Sequence, residues 1–374
     1  MMRYRTFDKT GEQVSLLGFG AMRLPTDGGE VDEAEAIRMI RHAIDRGVNY
    51  VDTAYMYHDG VSEAVVGKAL KDGYRERTLL ADKLPPWFAK TESDLPDIFE
   101  TQLRRLDTDV IDMYLVHNID EGHLQFIKDL NIYGFVKGLR ESGRVKHLGF
   151  SYHGKTTELF KELLDSFDWD FCQIQLNYMD VDIQAGVAGL KYAGEKGIPV
   201  VIMEPLKGGK LTGRVPDRVQ ALWDGAPVSR TPAEWGLRWV ADFPEVLTIL
   251  SGMTTMEQLD ENLRILDAEP GALTPEEHGL INEASAAYNE LIKYGCTSCG
   301  YCLPGCPQKI DMPKIININN EDALYDCFET AKFEMRVFVE PKPSACVSCG
   351  NCEDICPQHL PIASIMKESA ERYE

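Results

Sequence analysis

The chain has 374 residues, 44% of them hydrophobic, and a formal charge of −21. It is long enough for one large core plus a small appended module, and too apolar for a disordered chain. The negative charge excludes nucleic acid, whose phosphates it could not neutralise, and argues equally against an anionic membrane surface.

The N-terminal residues MMRYRTFDKTGEQVSLLG contain no apolar signal-peptide core. No stretch approaches the roughly 20 apolar residues of a spanning helix. No membrane association is expected, and the expected location is cytoplasmic. The chain opens with Arg3–Phe7 and Gln13–Leu16 around Asp8-Lys9-Thr10-Gly11, which reads as a hairpin with a glycine-containing turn. A short apolar run, Leu17–Met22, follows. In Asp32–Arg46 the residues Ala36, Ile37, Ile40, Ala43 and Ile44 recur at helical spacing. Asp32 and Glu35 resemble a capping box, and Gly47 ends the helix.

That pattern then repeats. Strand-like runs are Val48–Ala54, Thr78–Lys83, Val110–Val116, Val145–Phe150, Phe171–Leu176, Val200–Met203 and Val246–Leu250. Helix-like runs are Ser62–Lys71, Asp94–Leu106, Ile132–Ser142, Thr156–Asp165, Ile183–Lys196, Pro232–Asp242 and Glu257–Leu266. Strict alternation makes a parallel sheet, and eight units over about 250 residues predict a closed (β/α)8 TIM barrel. No G-x-G-x-x-G opens a helix, so a doubly wound nucleotide fold is disfavoured. The barrel should end near Ala268. A further helical run, Pro275–Leu291, leads out of it, giving a barrel domain over 1–285 and a second domain over 286–374.

Eight of the ten cysteines lie in that second domain in two runs, Cys296-x2-Cys299-x2-Cys302-x3-Cys306-Pro307 and Cys346-x2-Cys349-x2-Cys352-x3-Cys356-Pro357. This is the spacing of bacterial ferredoxins, whose thiolates bind [4Fe–4S] clusters. Disulfides do not suit a cytosolic chain. Zinc is the stronger alternative, but the third cysteine and the Cys-Pro ending favour iron–sulfur. In two-cluster ferredoxins the fourth cysteine of one run serves the other cluster. Cys296, Cys299, Cys302 and Cys356 should therefore share one cluster, and Cys346, Cys349, Cys352 and Cys306 the other. The intervening segment is long and reads as helical over Glu321–Phe333. The expectation is a C-terminal helix-rich ferredoxin-like iron-sulfur module. Cys172 and Cys327 fall outside the spacing and read as buried apolar groups.

Barrel chemistry belongs at the C-terminal strand ends. Asp52 and Tyr57 follow the second strand, Lys83 ends the third and His117 ends the fourth. Each has a bland reading alone, as a loop cap, a rim aromatic, a solvated strand end and a core histidine. Together they would converge on one pocket. A Tyr beside an ammonium is expected to have its pKa lowered from about 10 and to donate a proton. Asp52 would orient Lys83, and His117 would hydrogen-bond a carbonyl oxygen.

Asp52-Thr53-Ala54-x-x-Tyr57, with Lys83 and His117 at the next two strand ends, resembles the aldo-keto reductase family. Gly18-Phe19-Gly20, Ser62-Glu63 and Leu148-Gly149-Phe150-Ser151 also fit. The resemblance covers residues 1 to about 268, and the two cysteine runs look like its ferredoxin-fused branch. It implies carbonyl reduction with NAD(H) or NADP(H) and Tyr57 as general acid. It also implies a pyrophosphate near the loops Glu204-Pro205-Leu206-Lys207-Gly208-Gly209-Lys210 and Ser251-Gly252-Met253-Thr254-Thr255, with Gly20, Ser151 and Gln173 as further cofactor contacts. Glu261-Asn262 matches the family's adenine-binding pair. The basic residues that usually grip the 2′-phosphate align near Gly252 and Gln258, which leans towards NADH. The nicotinamide-contacting Asn aligns with Tyr152, and the stacking aromatic with Met203.

The expected function is therefore an oxidoreductase that reduces a carbonyl or oxidises an alcohol of small-molecule size, accompanied by two [4Fe–4S] clusters for one-electron transfer. A ferredoxin or a redox enzyme is the expected electron partner. The clusters imply air sensitivity and an anaerobic host. Hydride moves two electrons and a cluster moves one, so joining them needs a splitter. FMN is retained as an alternative cofactor without a flavin motif to support it. The competing readings are a ferredoxin-linked electron-transfer enzyme with a flavin or substrate in the barrel, and an electron carrier with a vestigial site. Substrate specificity is expected from Pro85–Pro96, Asn118–Asn131 and Gly213–Thr231, with Trp87, Phe88, Tyr152, Met179 and Trp223 as wall residues.

Overall fold

The opening hairpin pairs Tyr4–Phe7 with Glu12–Ser15 antiparallel, and Gly11 takes a positive φ of 77° in its turn. The structure is a computed structural model that describes residues 2–267, 273–296 and 298–374. Two compact units partition the chain, Met1–Gly208 with Ala233–His278 and Gly209–Pro232 with Gly279–Glu374.

The first unit is a closed eight-stranded parallel barrel. Its strands are Leu17–Gly20, Tyr50–Asp52, Leu79–Leu84, Ile111–Ile119, Val145–Tyr152, Phe171–Gln175, Val200–Met203 and Val246–Ser251. Each pairs with its neighbours in chain order, and the eighth closes on the first through Ile249↔Leu17. Near-continuous apolar runs make these strands, because both faces of a parallel sheet are covered. Phe7 and Val14 of the hairpin pack into one apolar cluster with Tyr50, Phe171 and Leu247, which lie at strand beginnings. The hairpin thus closes the end opposite the strand termini that carry chemistry. Close packing inside the barrel fixes some residue sizes. A Cβ at Gly149 would sit 2.7 Å from the Phe171 ring.

Helix Glu33–Asp45 begins where expected, but only half of the capping box forms. Asp32 Oδ1 accepts the Glu35 N–H at 3.0 Å. The Glu35 carboxylate turns instead to Arg38 at 2.6 Å, and the Asp32 N–H donates to the Pro25 carbonyl. Salt bridging at i,i+3 competes directly with the reciprocal cap. Three elements lie in stretches where the sequence suggests neither helix nor strand. They are the small hairpin Thr26–Asp27 with Glu30–Val31, and the helices Leu124–Asp129 and Asp217–Asp224. Segments this short carry little periodic signal. The expected barrel end near Ala268 lies outside the described residues.

The second unit is helical, with Met312–Tyr325, Phe328–Phe338 and Ile362–Tyr373 around a core of Ile315, Ile316, Met335, Ile365 and Met366. The helix expected over Glu321–Phe333 is in fact two helices. Asp326 adopts φ 51° at the end of the first, and the chain restarts after Cys327. Arg372 and the Tyr373 hydroxyl both donate to the buried Asp322, at 2.6 and 2.8 Å. Segment Gly209–Pro232 belongs to this unit, where Lys210 pairs with Glu321 and Glu334, and Arg214 with Asp326. Among the described residues, no helix is long and apolar enough to cross a membrane.

Candidate active site and cysteine-lined cavities

Asp52 ends the second barrel strand and Lys83 lies in the third, two residues beyond Ala81, the register partner of Asp52. Lys83 Nζ donates to Asp52 Oδ1 at 2.6 Å and to the Thr53 carbonyl at 2.7 Å. Both side chains are buried, Lys83 completely. Burial opposes the Lys83 charge, but Asp52, Tyr57 and Asp82 together more than offset it and hold the ammonium above its ordinary range. Removing either partner would strand a buried charge.

Tyr57 follows in the loop after the second strand. Its ring lies 4.9 Å from Lys83 Nζ and 6.1 Å, edge to face, from the His117 ring. The structure therefore brings Asp52, Tyr57, Lys83 and His117 together. It reverses one expectation about them. Burial is the largest influence on the Tyr57 phenol and raises its pKa. Lys83 pulls it down, but not enough to bring it below the usual phenol value. His117 is pushed well below the ordinary imidazole range, first by burial and then by Lys83. It is a neutral imidazole at pH 7, and its buried Nδ1 has no hydrogen-bond partner among the described residues. A protonated phenol between an ammonium and a neutral imidazole can polarise and protonate a carbonyl oxygen.

The turn that carries Tyr57 is backbone-strained. His58 and Asp59 adopt φ 50° and 54°, and Gly60 follows at 88°. Such strain persists only where surroundings over-determine it. Arg105 supplies part of that support, donating to the Tyr55 carbonyl at 3.1 Å and to Glu63 at 2.6 Å while lying over the Tyr55 ring. Asp82, beside Lys83, accepts from the Lys83 N–H at 2.8 Å and from Gln102 at 2.8 Å. Burial and then the neighbouring Glu63 hold its carboxyl well above the usual range. Arg105, Gln102 and Asp82 have no distinctive spacing, and sequence reasoning missed them.

The wall residues divide. The Trp87 ring lies 5.4 Å from the His117 ring and stacks on His123 at 4.9 Å. Phe88 meets Tyr55 at 5.3 Å, and Met179 is half-buried. Tyr152 is fully buried, with its hydroxyl donating to the Thr156 carbonyl, so it is packing rather than pocket wall. Trp223 belongs to the second unit.

The residues expected to contact a dinucleotide are partly engaged already. Ser251 Oγ accepts from the buried Asn262 amide at 2.8 Å. Ser151 Oγ accepts the Asn118 N–H at 2.7 Å. Gln258 Oε1 accepts the Thr254 N–H at 2.8 Å, which caps the loop after the eighth strand. Gln173 Nε2 reaches the Met203 sulfur at 3.4 Å, leaving its buried Oε1 without a hydrogen-bond partner. That orphaned acceptor suits an amide N–H donor. Gly20 abuts Ser251, and Met253 is buried. Glu204 at φ 52° and Gly208 at 64° shape the loop after the seventh strand, with Leu206 and Glu261 half-buried. Gly209 is the first residue of a segment of the second unit.

In the second unit the two cysteine runs repeat the same backbone. Ser298 and Ser348, Gly300 and Gly350, and Lys309 and His359 all take positive φ. One cavity is lined by Cys296, Cys299, Cys302 and Cys356. A second is lined by Cys306, Cys346, Cys349 and Cys352. The fourth cysteine of each run lies with the first three of the other. Among the described residues, no three His, Cys, Asp or Glu are close enough together to hold a single metal ion. Four thiols around each cavity, with apolar walls such as Ile310 and Met312 in one and Ile316 and Ile362 in the other, fit a cluster. The Ile310 N–H already points at Cys306 Sγ at 3.4 Å, as donors to cluster thiolates do. Cys327 lines neither cavity, and its Sγ lies 3.5 Å from the Glu321 carbonyl.

Comparison with known proteins agrees with both halves. The profile described as "Aldo/keto reductase family" matches residues 16–286, and that described as "4Fe-4S dicluster domain" matches residues 295–360. A probable aldo-keto reductase of Glycine max is 28% identical over 297 residues, 68% of this chain and 82% of that protein. The L-galactose dehydrogenase of Arabidopsis thaliana is 26% identical, covering 69% and 86% of the two chains. Among solved structures, an aldo-keto reductase from Bacillus halodurans superposes with a TM-score of 0.64 at 27% identity, over 76% of this chain and 96% of that one. An aldo/keto reductase from Klebsiella pneumoniae in complex with NADP and acetate gives 0.58 at 26% identity, over 73% and 92%.

Proposed function

The chain belongs to the aldo/keto reductase family, and on that premise we propose that it reduces a small-molecule carbonyl, or oxidises the corresponding alcohol, with a nicotinamide dinucleotide. It carries a 4Fe-4S dicluster domain as well, which we read as holding two [4Fe–4S] clusters on the crossed cysteine sets. The observation that carries the proposal is the fully buried Lys83–Asp52 pair beneath Tyr57, with a neutral His117 facing it.

A bound nicotinamide supplies the hydride. The protein's own groups manage charge and protons. His117 donates a hydrogen bond to the carbonyl oxygen, and Tyr57 transfers its hydroxyl proton to that oxygen as negative charge develops. Lys83 stabilises the phenolate left behind, and Asp52 keeps Lys83 cationic and in place. In the oxidative direction the same phenolate accepts the alcohol proton. Trp87 and Phe88 supply apolar area for the substrate. In the other half, the crossed thiolates hold the clusters, and the Ile310 N–H tunes Cys306.

Anaerobic protein should oxidise NADH or NADPH with members of a panel of aldehydes and ketones, and Tyr57→Phe should lower that rate by about 10²–10⁴ with cofactor affinity unchanged. Turnover that survives Tyr57→Phe would sink the acid–base assignment. Titrating NADH into the oxidised protein without substrate tests the electronic link. Bleaching of the cluster absorbance means that the two halves exchange electrons. An unchanged band assigns the clusters to an external partner.

A further inference from the structure

We propose that Arg23 binds the pyrophosphate of the nicotinamide dinucleotide, supplying from the first strand's loop a cation in place of Lys207 and Lys210 of the seventh-strand loop, which pair with Asp180 and with Glu321 and Glu334. The inference rests on the dinucleotide reading of the barrel site. Arg23 ends a short 3-10 turn, Ala21–Arg23, directly after the first barrel strand. Its aliphatic stem lies on Gly252, where an added Cβ would meet Arg23 Cβ at 3.1 Å and Cδ at 3.2 Å. Its guanidinium Nη2 lies 3.0 Å from the Cβ position of Gly208. One side chain therefore bridges the two glycine loops.

Arg23 is exposed, and no hydrogen bond or ion pair to it exists among the described residues. A guanidinium held in place without a carboxylate partner is available to an anion, and its fork suits phosphate oxygens. The turn beneath it is fixed at both ends. Ser62 Oγ donates to the Ala21 carbonyl at 2.9 Å, and the Leu24 N–H donates to His58 Nε2 at 3.2 Å. These anchors come from the Tyr57 turn and from the first turn of the helix Val61–Ala69 that follows it, so the phosphate contact and the proton donor share one mounting. The residue at 252 is part of the device. A side chain there would displace the Arg23 stem, so the small residue and the arginine are complementary.

The test is direct binding of NADH, NADPH and ADP-ribose to the clustered, full-length protein by calorimetry. Arg23→Gln should weaken all three by the same factor, about ten- to a hundredfold for one charge-assisted contact, with an unchanged thermal unfolding profile. Arg23→Lys should fall between. Gly252→Ala should weaken binding in the native background and add little to Arg23→Gln. Unchanged affinity in Arg23→Gln overturns the proposal. So does loss confined to NADPH, which would make Arg23 a reader of the 2′-phosphate. Equal losses from Gly252→Ala in both backgrounds contradict the bridge. A native protein that binds none of the three ligands refutes the dinucleotide reading itself, a separate result from a native protein that binds and a variant that binds equally well.

Discussion

Arg105 Nη1 meets Glu63 Oε2 at 2.6 Å, and through that contact helix Leu95–Leu106 grips helix Val61–Ala69 directly behind the Tyr57 turn. The same nitrogen donates to the Tyr55 carbonyl. Arg105 touches no reacting group, so it acts through the backbone of the turn. Glu63 is fully buried, and removing its partner leaves a carboxylate beside Asp82. Arg105→Gln should cost about 3 kcal/mol in chemical denaturation. It should also lower kcat more than it raises KM, because the strained turn loosens. Arg105→Gln with Glu63→Gln should recover much of the stability and little of the rate. If rate and stability return together, the residue is structural only.

The raised Tyr57 pKa sets the pH dependence of reduction. On the proposed mechanism the acid form is the productive one, and it persists until pH exceeds the ordinary phenol value. The kcat for carbonyl reduction should stay level through neutral pH and fall only above about pH 10. Lys83→Met removes the pull that lowers the phenol, so the alkaline limb should move higher still as overall activity drops. A limb near neutral pH in the native enzyme contradicts the role given to burial.

Cluster ligation can be read from pairs of variants. Cys356→Ser should give the same electron-paramagnetic signature on reduction as Cys296→Ser, because both line one cavity. Cys306→Ser should match Cys346→Ser. Each should lower iron from about eight to about four per chain if one cluster is lost. Cys327→Ser should leave iron content unchanged. A match between Cys356→Ser and Cys346→Ser would instead mean that each run serves its own cluster.

Two histidines make the barrel acid-sensitive. Burial lowers His153 to about 4 and puts His117 well below the usual range. As pH falls below about 6.5, the unfolded chain takes up protons that the folded chain refuses, so stability declines with falling pH. For His153 that decline ends near pH 4, where the folded form also protonates. His153→Gln should flatten part of the slope in urea midpoints measured from pH 8 to 4.5. An unchanged slope would mean that His153 titrates normally.

Much of this molecule was legible in its residues. The eight apolar runs separated by amphipathic ones predict the barrel, because a parallel sheet covered on both faces leaves that pattern in any sequence. That Asp52, Lys83 and His117 fall at strand ends, with Tyr57 in the loop beyond, was legible because a strand end is a fixed place in such a barrel. The two cysteine runs state their chemistry by spacing, since a cluster demands several thiolates from one tight loop. The break at Asp326 was not legible. A left-handed residue between two helices leaves almost no mark when its side chain is not glycine.

What the sequence by itself determined is the list of chemical parts, namely the barrel, the polar residues Asp52, Tyr57, Lys83 and His117 at or just after its strand ends, and eight thiols in two runs. What only the tertiary structure decided is how those parts act on one another. The direction of the Tyr57 shift depends on burial outweighing a nearby ammonium, and neither quantity exists in a linear chain. Asp52 and Lys83 meet at 2.6 Å only because adjacent strands pair in one register. Arg23 gains its meaning from Gly208 and Gly252, which lie far from it in the chain and beside it in the barrel. Such relations depend on distance and dielectric, and folding sets both.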